Sequence, residues 1–264
     1  RPTSDFEYGT ENTVLVTAMP AEGDDAHTAS NAGVASFTLS APVPDPLEPG
    51  SMITDPSVLI GTWTVTTNRT MVWGPDPENP QFVVPVYENE PMTFDVVISA
   101  DTQADDEVEL LVSGWGLFES MLEEGSSCPA LAGIDEQYGV VLFQGGYNMG
   151  TLKDGTQLIW LSFDLNGNSF TTDLFPSYVF TMREDGTVVG SAMGIEYTDG
   201  TTSSVGSLDI FGVTTDGYLS IFCEESPAGE FTMVKKSAGA PVNARSYRST
   251  AIYNIAPRAN YVLK

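Results

Sequence analysis

The strongest constraint on the fold is a two-residue alternation of apolar and polar side chains that recurs along the chain from residue 58 onward. In the segment GTWTVT (61–66), Trp63 and Val65 fall on one face and three threonines on the other. The same alternation recurs in residues 92–99, 107–112 and 158–165. Because successive side chains of a β-strand point to opposite sides, this period predicts antiparallel sheets with one buried and one wet face.

The turn signals agree with this prediction. Asn-Gly or Asp-Gly pairs lie between such segments at 154–155, 166–167, 185–186, 199–200 and 216–217. These pairs supply the positive-φ residues of type I′ hairpins, so they predict a meander of sequential hairpins that closes into a barrel or a barrel-like sandwich. The one predicted helix is the short segment LFESMLEE (117–124), which Gly125 would end.

Four prolines in the ten residues 41–50 indicate a boundary, because proline fixes φ and removes a backbone donor. We therefore predict three parts. Residues 1–49 hold a short strand pair (12–19 and 33–40) and a Pro-rich linker, residues 50–236 form the main β-barrel or sandwich, and residues 237–264 form a basic C-terminal strand.

Charge is distributed very unevenly along the chain. The 264 residues carry 36 acidic and 10 basic side chains, for a net charge of −26, which disfavours nucleic acid and anionic lipid as partners. Six of the ten basic residues lie in the last thirty, and no acidic residue follows Glu230. The basic tail either packs on its own acidic body or docks on a neighbouring protein through Arg245, Arg248 and Arg258.

The motifs of common enzyme classes are missing from the sequence. The single histidine, His27, lies in an acidic loop, no phosphate-binding glycine loop follows a strand, and no apolar run reaches membrane-spanning length. Two cysteines, Cys128 and Cys223, either form one bridge or remain two thiols. The low lysine content and the many Asp-Gly turns fit an exported protein.

Loop aromatics are the main binding candidates. Trp73 lies in a Pro-rich loop, Trp115 lies between two glycines after a strand, and Tyr147 lies in QGGYNMG. Such side chains stack on sugar rings or fill a partner's pocket, and the alternative is that they cap the ends of the barrel. The triplet Asn68-Arg69-Thr70 also fits a glycosylation sequon.

Acidic residues offer two further hypotheses. Asp101, Asp105 and Asp106 are concentrated in one turn that could hold Ca²⁺, although an exposed acidic loop is the simpler interpretation, and no other cofactor is indicated. A glycosidase would need two inward carboxylates about 5–10 Å apart. The alternation instead places Asp95, Glu107 and Glu109 on the polar, solvated faces of their strands.

The segments PSVLIGTWTVT, MTFDVVISAD, DEVELLVSGWG and IDEQYGVVLFQGG, with the later Asp-Gly hairpins, resemble β-rich surface lipoproteins exported by Bacteroidetes-type bacteria. The Gly-x-Trp of LIGTWTVT also resembles the first strand of a lipocalin-type barrel. The resemblance covers about residues 57–235 and implies an all-β fold with a lipocalin-like barrel. That family is anchored through a lipidated cysteine, which would lie upstream of Arg1 or has been removed. It carries no catalytic residues to transfer.

Together these observations predict a non-enzymatic extracytoplasmic protein, at the cell surface or outer membrane, that associates with other surface proteins of an import complex or surface assembly. A glycan-binding module that uses the loop aromatics is the first alternative. A carboxylate-pair glycoside hydrolase is the second.

Overall fold

A computed structural model describes residues 11–16, 33–38, 44–76, 83–101, 110–116, 128–144, 157–167, 175–197, 199–213, 219–221 and 225–236. Within these residues the chain forms sixteen β-strands and one 3-10 helix (Pro56–Leu59). Backbone contacts divide the chain into two compact units, Arg1–Val43 and Pro44–Lys264. In the first unit, β1 (Glu11–Val16) and β2 (Gly33–Thr38) form an antiparallel two-stranded sheet, which is the predicted strand pair.

The second unit contains the remaining fourteen described strands, all of which pair antiparallel with their neighbours. They are β3 (Ser51–Met52), β4 (Gly61–Pro75), β5 (Val83–Glu88), β6 (Thr93–Ala100), β7 (Leu110–Ser113), β8 (Ala130–Asp135), β9 (Gly139–Gln144), β10 (Gln157–Asp164), β11 (Phe175–Met182), β12 (Val188–Ala192), β13 (Gly194–Glu196), β14 (Thr202–Val213), β15 (Leu219–Ile221) and β16 (Glu225–Lys235).

Eight of these strands close into a barrel. Around the ring the order is β4, β6, β7, β8, β9, β11, β12 and β16, and β16 pairs with β4 to complete the circle. The all-β prediction is therefore confirmed, and the choice between barrel and sandwich is decided in favour of a closed, lipocalin-like barrel. The predicted C-terminal strand and the predicted helix at 117–124 lie outside the described residues.

Strands β4 and β16 are longer than the barrel and extend beyond it. Their outer halves pair at residues 69–72 and 225–228, and β5 and β14 add on either side. With β10 beside β14, this gives a second curved sheet in the order β5, β4, β16, β14, β10. The register shifts between Ala228 and Phe231, where Gly229 has φ +69, and this bulge marks the point at which the two sheets diverge.

The turns differ from the prediction in two ways. At Asp185-Gly186 and Asp199-Gly200 the glycine amide closes the turn onto the carbonyl three residues earlier, so each glycine follows the turn with φ above +80. These are three-residue loops with a glycine bulge rather than type I′ turns. Asn166-Gly167 is not a hairpin at all, because β10 pairs with β14 and not with β11.

Strand β10 also departs from the expected single buried face. Ile159 and Phe163 pack in the core of the second sheet, whereas Trp160, on the opposite face, belongs to the barrel core. Ser162 and Asp164, which were expected on a wet face, are completely buried. The strand is buried on both faces because it lies between the two cores.

Candidate functional site

The barrel interior is filled by aromatic side chains. Those that are at most 2% exposed are Trp63, Phe94, Trp115, Trp160, Tyr178, Phe180 and Phe231. Phe231 packs its ring at 5.0 Å from Trp115 and 5.2 Å from Tyr178, both nearly edge to face. An eight-stranded barrel is just wide enough to be filled by its own side chains or to hold one small ligand. In this barrel the aromatic side chains occupy that space.

Trp115 belongs to this core, which corrects the interpretation of it as a loop aromatic available for binding. Its neighbours Gly114 and Gly116 have φ +84 and +63, and these left-handed turns direct the indole into the barrel. There Trp115 Nε1 donates to the carbonyl of Leu208 at 3.3 Å. Its partner residue is distant in sequence, so the local Gly-Trp-Gly pattern carried no signal of this burial.

Trp63, near the start of the first barrel strand β4, is buried in the core as predicted. Its Nε1 donates to the carbonyl of Leu59 at 2.6 Å. Lys235, on the last barrel strand, places Nζ 5.2 Å from the centre of the Trp63 ring. The alternation in GTWTVT therefore identified the buried face correctly, and Cys128 is buried in the same core. Cys223 lies outside the described residues, so bridge and thiols both stay open.

Trp73 is partly exposed, but it is a strand residue, which corrects its placement in a Pro-rich loop. It lies on β4, in the second sheet, where its ring meets Phe163 at 5.5 Å and Phe211 at 5.9 Å, both edge to face. Trp73 thus forms one end of a small core, and its indole N–H is buried there without an acceptor among the described residues.

The other end of this face of the second sheet is polar. Asp209 is 1% exposed, and its carboxylate accepts hydrogen bonds from Ser226 Oγ at 2.8 Å and from the amide of Ile210 at 2.8 Å. Burial is the main cause that raises the pKa of Asp209 to about 7, and the two hydrogen bonds oppose it. A carboxyl that is neutral over much of the acid range is therefore built into the second sheet.

Arg69 and Tyr87 complete this polar end. Arg69 is 6% exposed and donates from Nη2 to the carbonyl of Tyr87 at 3.0 Å, with its guanidinium 5.2 Å from the centre of the Tyr87 ring. Desolvation lowers the pKa of Arg69 and raises that of Tyr87. The Tyr87 hydroxyl donates to the carbonyl of Asp164 at 2.8 Å, which joins the edge strand β5 to β10.

The two fully buried acids do not form a glycosidase pair. In the β10–β14 register, Asp209 lies opposite Leu161 and shares its face, which packs in the second core. The Asp164 carboxylate instead accepts a hydrogen bond from the hydroxyl of Tyr197, a residue of the barrel core. The two carboxyl groups therefore face opposite sides of one strand pair.

Asp95 corrects another expectation, since it is 8% exposed rather than solvated. Lys236 Nζ donates to Asp95 Oδ2 at 2.6 Å, and Thr64 Oγ1 donates to Oδ1 at 2.8 Å. Asp95 does point outward from the barrel, as the alternation predicted. The lysine and threonine from neighbouring strands cover it there, which no local pattern could reveal.

The remaining candidates are placed as follows. Asp101 is half-buried at the end of β6, and among the described residues no three potential metal ligands lie together. Asn68, of the sequon, lies within β4, and its Oδ1 is buried without a donor among the described residues. The candidates that lie outside the described residues are Tyr147, Asp105, Asp106, Glu107, Glu109, Arg245, Arg248 and Arg258.

Comparisons with protein-family models, with curated proteins and with solved structures find no match to this chain. Within the described residues, no helical segment combines the length and the apolar character that crossing a membrane requires. The site must therefore be interpreted from its own chemistry. The features available for this are a barrel filled by its own side chains, a second sheet with a partly exposed tryptophan, and the barrel exterior at which the last described strand, β16, ends.

Proposed function

We propose that this protein is a non-enzymatic extracytoplasmic protein that binds other cell-surface or outer-membrane proteins, as an accessory lipoprotein of an import complex or a surface assembly. The observation that supports this best is the filled barrel. Trp63, Trp115 and Phe231 occupy the space in which a barrel of this size would hold a small ligand. The barrel then serves as a rigid scaffold, and recognition belongs to its exterior.

The basic tail is the proposed docking element. Residues 237–264 carry four basic side chains and no acidic one, in a chain of net charge −26. Such a segment is attracted to acidic protein surfaces and steers encounter at low ionic strength. Arg245, Arg248 and Arg258 are the residues proposed to contact the partner.

The test is co-purification from the native membrane fraction, with the full chain compared with a chain that ends at Lys236 and with an Arg245→Gln/Arg248→Gln/Arg258→Gln variant. We expect defined partners with the full chain and their loss with both variants, while the far-UV circular dichroism of the body is unchanged. Equal recovery of the same partners by all three proteins would refute the tail as docking element.

A glycan-binding role is the second candidate, and partial exposure of the Trp73 side chain favours it. Sugar rings stack on partly exposed indoles. A glycan array probed with the native chain and with Trp73→Ala decides the matter. Binding that disappears in the variant supports this role, whereas silence of the native chain across the array removes it.

A further inference from the structure

One part of the barrel exterior exposes two valines beside threonines and a covered ion pair. It consists of two rows across strands β16, β4 and β6, which the register defines as Val234–Thr64–Asp95 and Lys236–Thr62–Val97. We call these six residues the outer-wall patch. Val234 is 57% exposed and Val97 is 45% exposed, and Ile60, 41% exposed, directly precedes β4.

The two charges of the patch do not face solvent. Lys236 reaches diagonally across the two threonines to Asp95, and their side chains are only 15% and 5% exposed. The ion pair is neutral as a unit and leaves the valines and threonines as the contact surface. In a chain of net charge −26, a face that exposes two valines and whose charges are paired is a candidate contact surface.

The C-terminal tail starts on this patch. The amide of Lys236 donates to the carbonyl of Thr62 at 2.8 Å, so the chain enters residue 237 from the β16 edge of the patch. The following 28 residues include the apolar segments STAIYNIA (249–256) and ANYVLK (259–264). The twelve residues 237–248 span up to about 40 Å when extended, which is ample length for the segment to return.

We infer that the outer-wall patch is the docking surface for residues 249–264 of the same chain. The tether favours this occupant, because covalent linkage through a short stretch of chain raises the effective concentration of the segment at the patch. The basic segment is attracted to the acidic body as a whole, whereas the patch itself is neutral and offers apolar contact. This inference rests on the proposed function in one respect: a partner that binds the tail would first have to displace it from the patch.

Limited digestion with trypsin tests this inference. Trypsin cleaves after Arg245, which precedes the docked segment, and after Arg258, which lies within it. We would measure by mass spectrometry the rate at which the intact chain is first cut at each site, because a cut after Arg245 releases the segment from its tether. The variants are Val97→Glu/Val234→Glu and the milder Val97→Thr/Val234→Thr, which keeps β-branched side chains on the strands. Val86→Glu/Ile134→Glu is the matched control, since these residues are 41% and 38% exposed elsewhere.

In the native chain we expect cleavage at Arg258 to be at least tenfold slower than at Arg245. The Glu variant should be cleaved at similar rates at both sites, and the Thr variant should show a smaller difference than the native chain. The control should keep the native difference. Equal rates at both sites in the native chain, or equal effects of patch and control variants, would overturn the inference. Protection that rises with protein concentration, together with a patch-dependent dimer in light scattering, would also overturn it and assign the patch to a second copy. Co-purification of partners can fail while this protection persists, so the two proposals are distinguishable.

Discussion

Lys235 Nζ lies 5.2 Å from the centre of the Trp63 ring, and this contact joins the last strand of the barrel to its first. The two residues are direct neighbours in the β16–β4 register, at the seam where the barrel closes. The cation covers an indole that is otherwise buried in the core. Closure therefore involves a side-chain contact as well as the backbone ladder.

We predict that Lys235→Met, which keeps the aliphatic stem, lowers the free energy of unfolding by about 0.5–1 kcal/mol, the usual value for an exposed cation–π contact. Urea denaturation followed by circular dichroism measures this. In a Trp63→Phe background the same substitution should cost less, because the weaker ring attracts the cation less. An undiminished cost there would show that the lysine acts through another contact.

Asp209 predicts a specific pH dependence. Its pKa is about 7 in the folded state against 3.8 as the ordinary value, so its contribution to stability is greatest below pH 3.8 and is lost as the pH rises towards 7. The Asp209→Asn variant should not lose stability in this way, because an amide does not titrate. Between pH 5 and pH 8 the stability of the variant relative to the native chain should therefore rise, by on the order of 2 kcal/mol.

Urea titrations at these two pH values test this. Asp185→Asn serves as the control, because hydrogen bonds to Thr187 lower the pKa of that exposed carboxyl, and its substitution should produce no such rise. A constant difference between Asp209→Asn and the native chain would contradict the assignment.

Two glycines provide a matched pair for the turn geometry. Gly186 has φ +82 with open space around it, so Gly186→Ala should cost about 1–2 kcal/mol through backbone strain alone. Gly194 has equally open space but no positive φ, so Gly194→Ala should be neutral or stabilising by up to about 1 kcal/mol. Thermal unfolding of both variants measures the contrast, and equal effects would exclude the bulged turn.

Substitutions of Asp95 and Lys236, the ion pair of the outer-wall patch, should have strongly coupled effects on the free energy of unfolding. Because Asp95 is 8% exposed, Lys236→Gln leaves a buried carboxylate without its cation and should cost about 1–3 kcal/mol. The double variant Asp95→Asn/Lys236→Gln should cost less than the sum of the two single variants. A double-mutant cycle by urea denaturation gives the coupling energy. Strict additivity would show that the two side chains do not stabilise each other.

Sequence reasoning reached the fold class because β-strand alternation is a local property. Met92, Phe94, Val96 and Ile98 share a buried face as expected. It failed for Trp115 and Asp95, whose surroundings come from β14 and β16, more than ninety residues away. It also missed the polar end of the second sheet, since Arg69, Tyr87 and Asp209 meet only when three separated strands curve together.

The sequence by itself determined that this chain forms antiparallel strands, that it turns at Asp185-Gly186 and Asp199-Gly200, and that Trp63 faces a core. Only the tertiary structure decided which strands pair, because hydrogen-bond ladders are chemically alike and turn signals do not name a partner. It also decided which polar faces are covered. Alternation distinguishes the two sides of a strand, but whether the second side meets water depends on elements that are remote in the chain, as β10 demonstrates between its two cores.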